Sequence, residues 1–304
     1  MEGDDVAYLE AARTVDERAH SDDATAAFRA ALRGAERDRD DGVRVLEAGA
    51  GTCGLLRRLL ADGALPAGEW VAVDTDERVL SAGRNLLERE ARAAGYGVDA
   101  DGSAVLLGHL DREARLRVRF ETRDARDVAG EEAFDGVVGR SFADLLAPED
   151  VLALARTAAP DGWYHFPLTF DGETRFSPSH PGDDAVIDAF HGSMRNRGRA
   201  ATLLAERLRT AGSPPAVDAR SDWVVRGRDG DGAVGTVGDR DRGYPADEAT
   251  FLRTVLDTVV ASVRESGAVA DATLSAWESE RKRQLARGEL GYVARNRDLF
   301  GRVP

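Results

Sequence analysis

The chain has 304 residues, of which 42% are hydrophobic, and its 55 acidic residues against 41 basic ones give a net charge of −14. A single cysteine, Cys53, excludes a disulfide framework. There is no uncharged apolar run of about 18 residues, the length that predicts a membrane span. No basic-then-apolar leader opens the sequence, so we expect a cytoplasmic protein without a membrane partner.

The basic residues are almost all arginine, because Lys282 is the only lysine. A surface rich in Asp and Glu and nearly free of lysine is expected of an organism that keeps molar salt in its cytoplasm. An arginine-biased, GC-rich genome is the alternative, and it explains the acid excess less well. At about 1 M salt the screening length falls to about 3 Å, so acidity alone does not argue strongly against a nucleic-acid partner.

The first half of the chain alternates predicted strands and helices. Apolar residues recurring every three or four positions predict two helices within residues 4–40, the second capped by the Ser21–Asp23 segment. Strands are predicted near 43–48, 70–74, 116–121, 134–139 and 162–168, and helices near 54–61, 76–94 and 148–157. Residues 95–115, with Gly95, Gly97 and Gly102, are expected to form a loop insertion. This alternation predicts an α/β fold with a doubly wound, mostly parallel sheet.

The second half is less regular. A proline-rich connection is predicted over 166–181, a sixth strand over 216–226 and an acidic loop over 228–242. Helices are predicted near 183–196, 200–211, 246–264 and 270–287. We therefore expect an N-terminal helical cover over residues 1–40 and a ligand-binding core over 41–168. Residues 169–304 would complete the sheet and add helical insertions that cover the ligand-binding site.

The most informative motif is VRVLEAGAGTCG at 43–54, a buried strand followed by Gly49, Gly51 and Gly54 in G-x-G-x-x-G spacing. Glycine allows a tight turn and a close approach of backbone to ligand, and the following helix presents free N–H groups. The same pattern fits dinucleotide-binding folds. Glu47, two residues before the first glycine, would repel a diphosphate and attract a cationic ligand with an amino group.

Further acids follow the next two predicted strands. Asp74 ends the second strand, where a carboxylate can accept both ribose hydroxyls of a nucleoside. Asp124 follows the third strand and could accept from an adenine amino group, or merely cap the next helix. The fourth strand opens into a polar loop in the segment FDGVVGRSFADLL at 134–146.

In combination, LEAGAGTCG, VAVDTD, TRDA and FDGVVGRSF resemble the successive motifs of class I S-adenosylmethionine-dependent methyltransferases, over residues 43–168. The resemblance implies a seven-stranded sheet whose antiparallel last strand, over 291–301, lies between strands five and six. It also implies S-adenosyl-L-methionine as the cofactor and methyl transfer by in-line displacement.

The resemblance carries a set of site residues with it. Arg140 and Ser141 stand where many members of the family place the group that faces the transferred methyl, although a surface salt bridge for Arg140 is the alternative. Arg13 and Arg18 are expected to close over the cofactor and pair with its carboxylate. Cys53 is expected to be a small buried filler in the turn rather than a reactive thiol. The predicted cofactor contacts are Glu47, Ala48, Gly49, Gly51, Cys53, Gly54, Asp74, Thr75, Asp124, Ala125, Arg140, Ser141 and Arg18.

Candidates for catalysis and substrate binding come from the loops and the second half. His165 lies near the carboxyl end of the fifth predicted strand, and with Arg140 it is a catalytic candidate; a core histidine is the alternative. The five histidines lack the spacing of a metal site, so no metal is predicted. The residues expected to line the acceptor pocket are Phe142, Phe170, His191, Trp223 and Tyr244.

The expected acceptor is a small molecule. Gly139–Phe142 replaces the Asn/Asp-Pro-Pro-aromatic tetrad typical of base methylation, and the arginines of 195–209 and 281–287 are interpreted as solvated, ion-paired faces. An NAD(P)-dependent oxidoreductase remains an alternative, although Glu47 and the lack of a Tyr-x-x-x-Lys set disfavour it. A non-catalytic binding protein with the same fold is the third hypothesis. No sequence pattern predicts an oligomeric state.

Overall fold

One ten-stranded sheet organises the chain in a computed structural model, which describes residues 6–38, 41–109, 115–128, 133–227 and 243–304. The helices within these ranges are α1 (Val6–Ala19), α2 (Asp22–Asp38), α3 (Gly54–Ala61), α4 (Glu77–Ala93), α5 (Pro148–Ala155), α6 (Asp183–Ser193), α7 (Ala200–Thr210), α8 (Glu248–Ser266) and α9 (Asp271–Arg287). The strands are β1 (Val43–Ala48), β2 (Gly68–Asp74), β3 (Tyr96–Asp101), β4 (Ala104–His109), β5 (Arg115–Thr122), β6 (Phe134–Val138), β7 (Ala158–Ser177), β8 (Pro215–Arg220), β9 (Trp223–Val225) and β10 (Gly291–Arg302).

The strand order is β3-β4-β5-β2-β1-β6-β7-β10-β8, and β9 also pairs with β10. Strands β5, β2, β1, β6 and β7 are mutually parallel, which is the doubly wound arrangement that the alternation predicts. The last strand, β10, runs antiparallel to β7, β8 and β9. The predicted count of seven strands is wrong, because a hairpin extends one edge of the sheet and the sixth predicted strand is interrupted into β8 and β9.

The added hairpin is β3–β4, at the position where a loop insertion was predicted. Asp101 pairs with Ala104, so Gly102 and Ser103 form a two-residue turn, and Gly102 has the positive φ of +56° that such turns require. Strand β4 pairs antiparallel with β5. The glycines of this segment therefore mark a hairpin, while the rest of the predicted loop, residues 110–114, lies outside the described residues.

Strand β7 is much longer than the fifth strand predicted from sequence. It continues through Leu168, which has a φ of +58°, and its second half pairs with β10 as far as Ser177. Most of the predicted proline-rich connection is therefore strand, stabilised by a partner more than a hundred residues away that no local pattern discloses. The predicted division at residue 168 falls within this strand, and the predicted acidic loop at 228–242 lies outside the described residues.

The described residues form three apolar cores in this arrangement. Helices α2, α3 and α4 pack on one face of the sheet, and α5 and α7 pack on the other. The third core joins α1, α6, α8 and α9 to the far halves of β7 and β10 and to β9. Because β7 runs parallel to β6 and extends well past its carboxyl end, this third core lies beyond the sheet edge where ligands bind in such folds.

Candidate active site

The turn after β1 needs its first glycine for steric reasons. Gly49 has a φ of +65°, and a Cβ there would lie 2.2 Å from a ring carbon of Phe142. The Gly51 N–H donates to Oδ2 of Asp74 at 2.9 Å, so the acid at the end of β2 fixes the turn after β1. Two motifs that are far apart in sequence are thereby joined into one site.

Gly54, the first residue of α3, makes room for Arg140. A Cβ at this position would lie 1.9 Å from a guanidinium nitrogen of Arg140. The same guanidinium lies 3.4 Å from the buried carboxylate of Asp16 on α1. Arg140 thus connects the helical cover, the glycine turn and the loop after β6, and its ion pair is not a surface salt bridge.

Asp74 has both carboxylate oxygens in use. Oδ2 accepts from Gly51, and Oδ1 accepts from the Asp76 N–H at 3.0 Å. Asp76 in turn caps α4 by accepting from the N–H groups of Arg78 and Val79. The carboxylate is therefore held at the end of β2, with its remaining lone pairs available to a ligand.

Glu47 is 2% exposed and accepts a hydrogen bond of 2.8 Å from Nε1 of Trp70. Burial raises the pKa of its carboxyl to about 7, and the nearby charge of Asp74 acts in the same direction. Arg140 is the cation that opposes this shift. Glu47 still lines the cavity beside the glycine turn. It therefore presents to a ligand there a carboxylate that is more basic than that of an ordinary glutamate.

Asp124 is engaged by its neighbour Arg126. The Arg126 side chain and its backbone N–H both donate to the carboxylate, with Nε at 3.0 Å and the backbone N at 2.9 Å. These hydrogen bonds lower the pKa of Asp124. The Asp124 side chain lines the cavity as an anion. A ligand amino group that donates to this carboxylate would do so alongside the hydrogen bonds from Arg126.

A cavity of about 750 Å³ lies along the carboxyl ends of β1, β2 and β6. It brings together most of the predicted cofactor contacts, and Leu9 of α1 closes it from the helical cover. Ala48, Cys53 and Gly54 are buried beside the turn and do not line it. Burial raises the pKa of the Cys53 thiol, which fits a filler role. The predicted residues that line it are Glu47, Gly49, Gly51, Asp74, Thr75, Asp124, Ala125, Arg140, Ser141 and Phe142.

A second cavity, of about 340 Å³, adjoins the first. The two share Leu9, Ser141 and Leu145 as lining residues, and we call the second one the acceptor chamber. It is surrounded by α1, the far half of β7, α6 and β10. Of the predicted acceptor-pocket residues, Phe170 and Trp223 line it, whereas Phe142 lines the first cavity.

Several predicted residues lie elsewhere. His165 is 2% exposed and stacks on Phe28 of α2 at 4.8 Å between ring centroids, and burial lowers its pKa to about 4. It lines neither cavity, because its strand position faces α2, so the core-histidine alternative describes it. The Tyr244 hydroxyl donates to the Leu290 carbonyl at 2.8 Å, outside both cavities.

The remaining misplaced candidates are on helices. His191 Nε2 lies 3.0 Å from the Thr174 hydroxyl, and burial lowers the pKa of this histidine, but it does not line the chamber. Arg18 pairs with Glu248 at 2.6 Å and Arg13 pairs with Glu17. Neither arginine lines the first cavity, since both are paired with helix carboxylates.

Sequence reasoning missed the polar residues of the chamber. Asp144 lies in a short 3-10 turn, Ala143–Leu145, and Asn296 lies next to a bulge in β10. Tyr8 and Tyr292 face the same space. The signal for Asp144 was its place in the loop after the fourth strand; Asn296 is brought in by long-range pairing and carried no local signal.

Neither a metal site nor a membrane helix is found in the part of the chain that the structure describes. No group of three or more His, Cys, Asp or Glu side chains is arranged to hold a metal ion there. Likewise, none of the described helices has both the length and the apolar character needed to cross a bilayer.

The strand order places one antiparallel strand, β10, between the fifth and sixth core strands, as the resemblance to class I S-adenosylmethionine-dependent methyltransferases implies. No family model and no curated protein matches the chain. Solved structures similar to it include an S-adenosylmethionine-dependent methyltransferase from Thiobacillus denitrificans in complex with S-adenosyl-L-homocysteine, 20% identical over 94% of this chain and 96% of that one, with a TM-score of 0.44.

Two further structures are similar. Mycolic acid cyclopropane synthase, complexed with S-adenosyl-L-homocysteine, is 10% identical over 91% of this chain and 83% of that one, with a TM-score of 0.43. Magnesium protoporphyrin IX methyltransferase from Synechocystis is 15% identical over 64% of this chain and 74% of that one, with a TM-score of 0.38.

Proposed function

We propose that this protein transfers a methyl group from S-adenosyl-L-methionine to a small-molecule acceptor. The observation that supports this most directly is the pair of adjoining cavities, one lined by Glu47 and Asp74 and the other mainly apolar, which share Ser141 and Leu145. A cofactor in the first cavity and an acceptor in the second would meet at these shared residues.

The residues of the first cavity fit the proposed cofactor. Asp74 would accept from the ribose hydroxyls, Glu47 would attract the amino group, and Asp124 with Ala125 would border the adenine. Close packing over Gly49 leaves no space for a Cβ, and the volume of about 750 Å³ is within the range of ligand pockets. When bound, the cofactor supplies an electrophilic methyl group on its sulfonium.

The chain's own residues would bind the cofactor and the acceptor, orient them, and exclude water. Leu9 of α1 and the loop residues Ser141 and Leu145 line both cavities, so they would help to position the acceptor and shield the meeting point of the two ligands from bulk water. The enclosure of the acceptor chamber by helices supports a compact acceptor, because a polymer needs an open, positively charged channel.

A nicotinamide-dependent oxidoreductase is supported less well. The usual dinucleotide-binding sheet follows the order 3-2-1-4-5-6 without an inserted antiparallel strand, unlike this sheet. Glu47 would also lie close to the diphosphate of a dinucleotide. A non-catalytic binding protein would keep both cavities, and only turnover separates it from an enzyme.

Titration calorimetry with S-adenosylmethionine, S-adenosylhomocysteine, NAD and NADP tests the cofactor. We expect the first two to bind and the dinucleotides not to bind; the reverse result would refute the proposal. Incubation with methyl-labelled S-adenosylmethionine and either total RNA or a small-metabolite extract tests the acceptor. Label that precipitates with RNA, and none in the metabolite fraction, would overturn the small-molecule assignment.

A further inference from the structure

The acceptor chamber has aromatic walls. The rings of Tyr8, Phe170, Phe190, Trp223 and Tyr292 line it from α1, β7, α6, β9 and β10. Trp223 packs edge-to-face on Phe251, and Tyr8 stacks on the same ring, so these two walls are held by the core behind them. Flat apolar walls in a space of about 340 Å³ suit a ligand of one or two rings.

Polar side-chain atoms of four residues that line this chamber, Ser141, Asp144, Trp223 and Asn296, lack a hydrogen-bond partner among the described residues. The atoms, which are shielded from solvent, are Ser141 Oγ, Asp144 Oδ1, Trp223 Nε1 and Asn296 Nδ2. Asn296 is 1% exposed. A shielded polar atom without a partner costs free energy, and a ligand that supplies the partner removes this cost. These atoms thus indicate where polar groups of a ligand would lie.

Asp144 lies where the two cavities meet. Its neighbours in the loop, Ser141 and Leu145, line both cavities, while Asp144 itself lines the acceptor chamber. The loop is fixed from outside, because Nδ2 of Asn196 donates to the Leu146 carbonyl at 2.9 Å and Nε of Arg195 donates to the Leu145 carbonyl at 3.1 Å. The loop that carries this carboxylate is therefore fixed at the junction of the two cavities.

We propose that the chamber binds a mainly apolar ring compound carrying a hydroxyl group, that Asp144 accepts the hydroxyl proton during transfer, and that the Asn296 amide donates to a second oxygen of the substrate. This inference rests on the proposed methyltransferase function and specifies its substrate class. A neutral hydroxyl enters an apolar chamber at lower desolvation cost than an ammonium group does.

The step is balanced in atoms and charge. The bond between the sulfonium sulfur and the methyl carbon breaks, and sulfur keeps the electron pair as a neutral thioether. The hydroxyl oxygen forms the new bond to carbon, and its proton passes to Asp144, which becomes a neutral carboxylic acid. A hydroxyl is a poor nucleophile while protonated, so a base in contact with it has a defined purpose.

The surroundings of Asp144 suit this role. Burial raises the pKa of its carboxyl to about 6, so it is ionised at neutral pH and more basic than an exposed aspartate. The other titratable or charged side chains lining the chamber are Tyr8 on α1, Tyr292 on β10 and Arg195 after α6. Burial raises the pKa of both tyrosines, so Asp144 is the chamber group that titrates near neutrality.

Binding is tested first with umbelliferone, a two-ring phenol with a carbonyl oxygen, in the presence of S-adenosylhomocysteine. Coumarin, which lacks the hydroxyl, and benzylamine, which is a cation, are the comparison ligands. We expect umbelliferone to bind at least about tenfold tighter than coumarin, as a hydrogen bond to a charged group predicts. Asp144→Asn should reduce the ratio of the affinities for umbelliferone and coumarin at least about threefold. Asn296→Leu should weaken the binding of both ligands to the same extent.

Turnover is tested by the formation of the umbelliferone methyl ether. Asp144→Asn should lower the rate at saturating ligand by about 100-fold or more, the usual contribution of a general base. The wild-type rate should rise with pH through about 6, and the variant should lose this limb. Glu149→Gln is the control on the same segment, because Glu149 is exposed and pairs with Arg207 outside the chamber.

The outcomes separate the two proposals. Absence of S-adenosylhomocysteine binding in the wild type would refute the methyltransferase proposal itself. If S-adenosylhomocysteine binds, then equal affinity for umbelliferone and coumarin, preference for benzylamine, or no binding of any of the three overturns the substrate class. Wild-type rate and pH profile in a folded Asp144→Asn variant would overturn the role of Asp144.

Discussion

Single residues at the ends of β1 and β2 carry the candidate cofactor site, and they were readable from sequence. Glu47, Gly49 and Asp74 line one cavity, because the carboxyl ends of neighbouring parallel strands share one edge of the sheet. For His165 the sequence left a catalytic role and a core position open, because strand periodicity gives two faces without saying which one a ligand occupies. Asp144 and Asn296 were missed because their burial depends on long-range packing.

Asp74→Ala should weaken S-adenosylmethionine binding at least about tenfold, because hydrogen bonds to a charged acceptor contribute about 1.5–3 kcal/mol each. Loss of the contact from Gly51 should also loosen the turn. Calorimetry on the variant measures the effect, with Asp127→Ala as control, since Asp127 is exposed and does not line the cavity. Wild-type affinity in folded Asp74→Ala would show that the site is assigned wrongly.

Glu47 should make the stability of the ligand-free protein depend on pH. Its folded-state pKa of about 7 exceeds the ordinary value of 4.5, so between these values the folded state binds more protons than the unfolded state. The free energy of unfolding contributed by Glu47 therefore falls as pH rises through this window. Melting temperatures of the wild type and Glu47→Gln are compared from about pH 5 to pH 8. We expect the melting temperature of the wild type to fall more than that of the variant as pH rises. Parallel curves would contradict this.

At the scale of elements, sequence periodicity located the five parallel strands and most of the helices. It failed where a partner far along the chain decides the structure, as in the second half of β7, which pairs with β10. It also failed at Arg281, predicted as solvated. This side chain is fully buried, and its guanidinium donates to the Pro178 carbonyl and to Gln284 and pairs with Asp183.

Arg281 should be the strongest anchor of α9. Arg281→Ala leaves the Asp183 carboxylate without its cation and opens a cavity beside Trp277, so we expect a loss of about 3 kcal/mol in the free energy of unfolding. Urea denaturation measures this. Arg283→Ala, two residues away, removes an exposed pair with Glu280 and should change stability by less than about 0.5 kcal/mol. Equal effects of the two substitutions would contradict the anchoring role.

For the whole molecule, the net charge of −14 is the dominant electrostatic property. Many carboxylates pair with arginine, as Glu10 and Glu90 do with Arg57, but the excess of acids leaves a net self-repulsion. Salt screens this repulsion. The net charge can be predicted from composition alone, whereas the positions of the charged side chains around the cavities can be known only from the fold.

We expect the melting temperature to rise by several degrees between dilute buffer and about 1 M KCl, because screening shortens the range of repulsion to about 3 Å. Thermal unfolding at increasing KCl measures this, and sucrose of matched osmolarity controls for general solute effects. A flat or falling curve would favour the arginine-biased genome over salt adaptation as the origin of the composition.

The uninterrupted course of β7 has a mechanical consequence. This one strand borders β6 at its beginning, and at its far end it supports the wall of the acceptor chamber, bonded along both halves to β10. A hinge between the start of β7 and its far end would have to break the hydrogen-bonded pairing of β7 with β10. Under the proposed function, β7 would therefore fix the spacing between the two cavities, and entry and exit of small molecules would depend on elements outside this strand pair, such as α1.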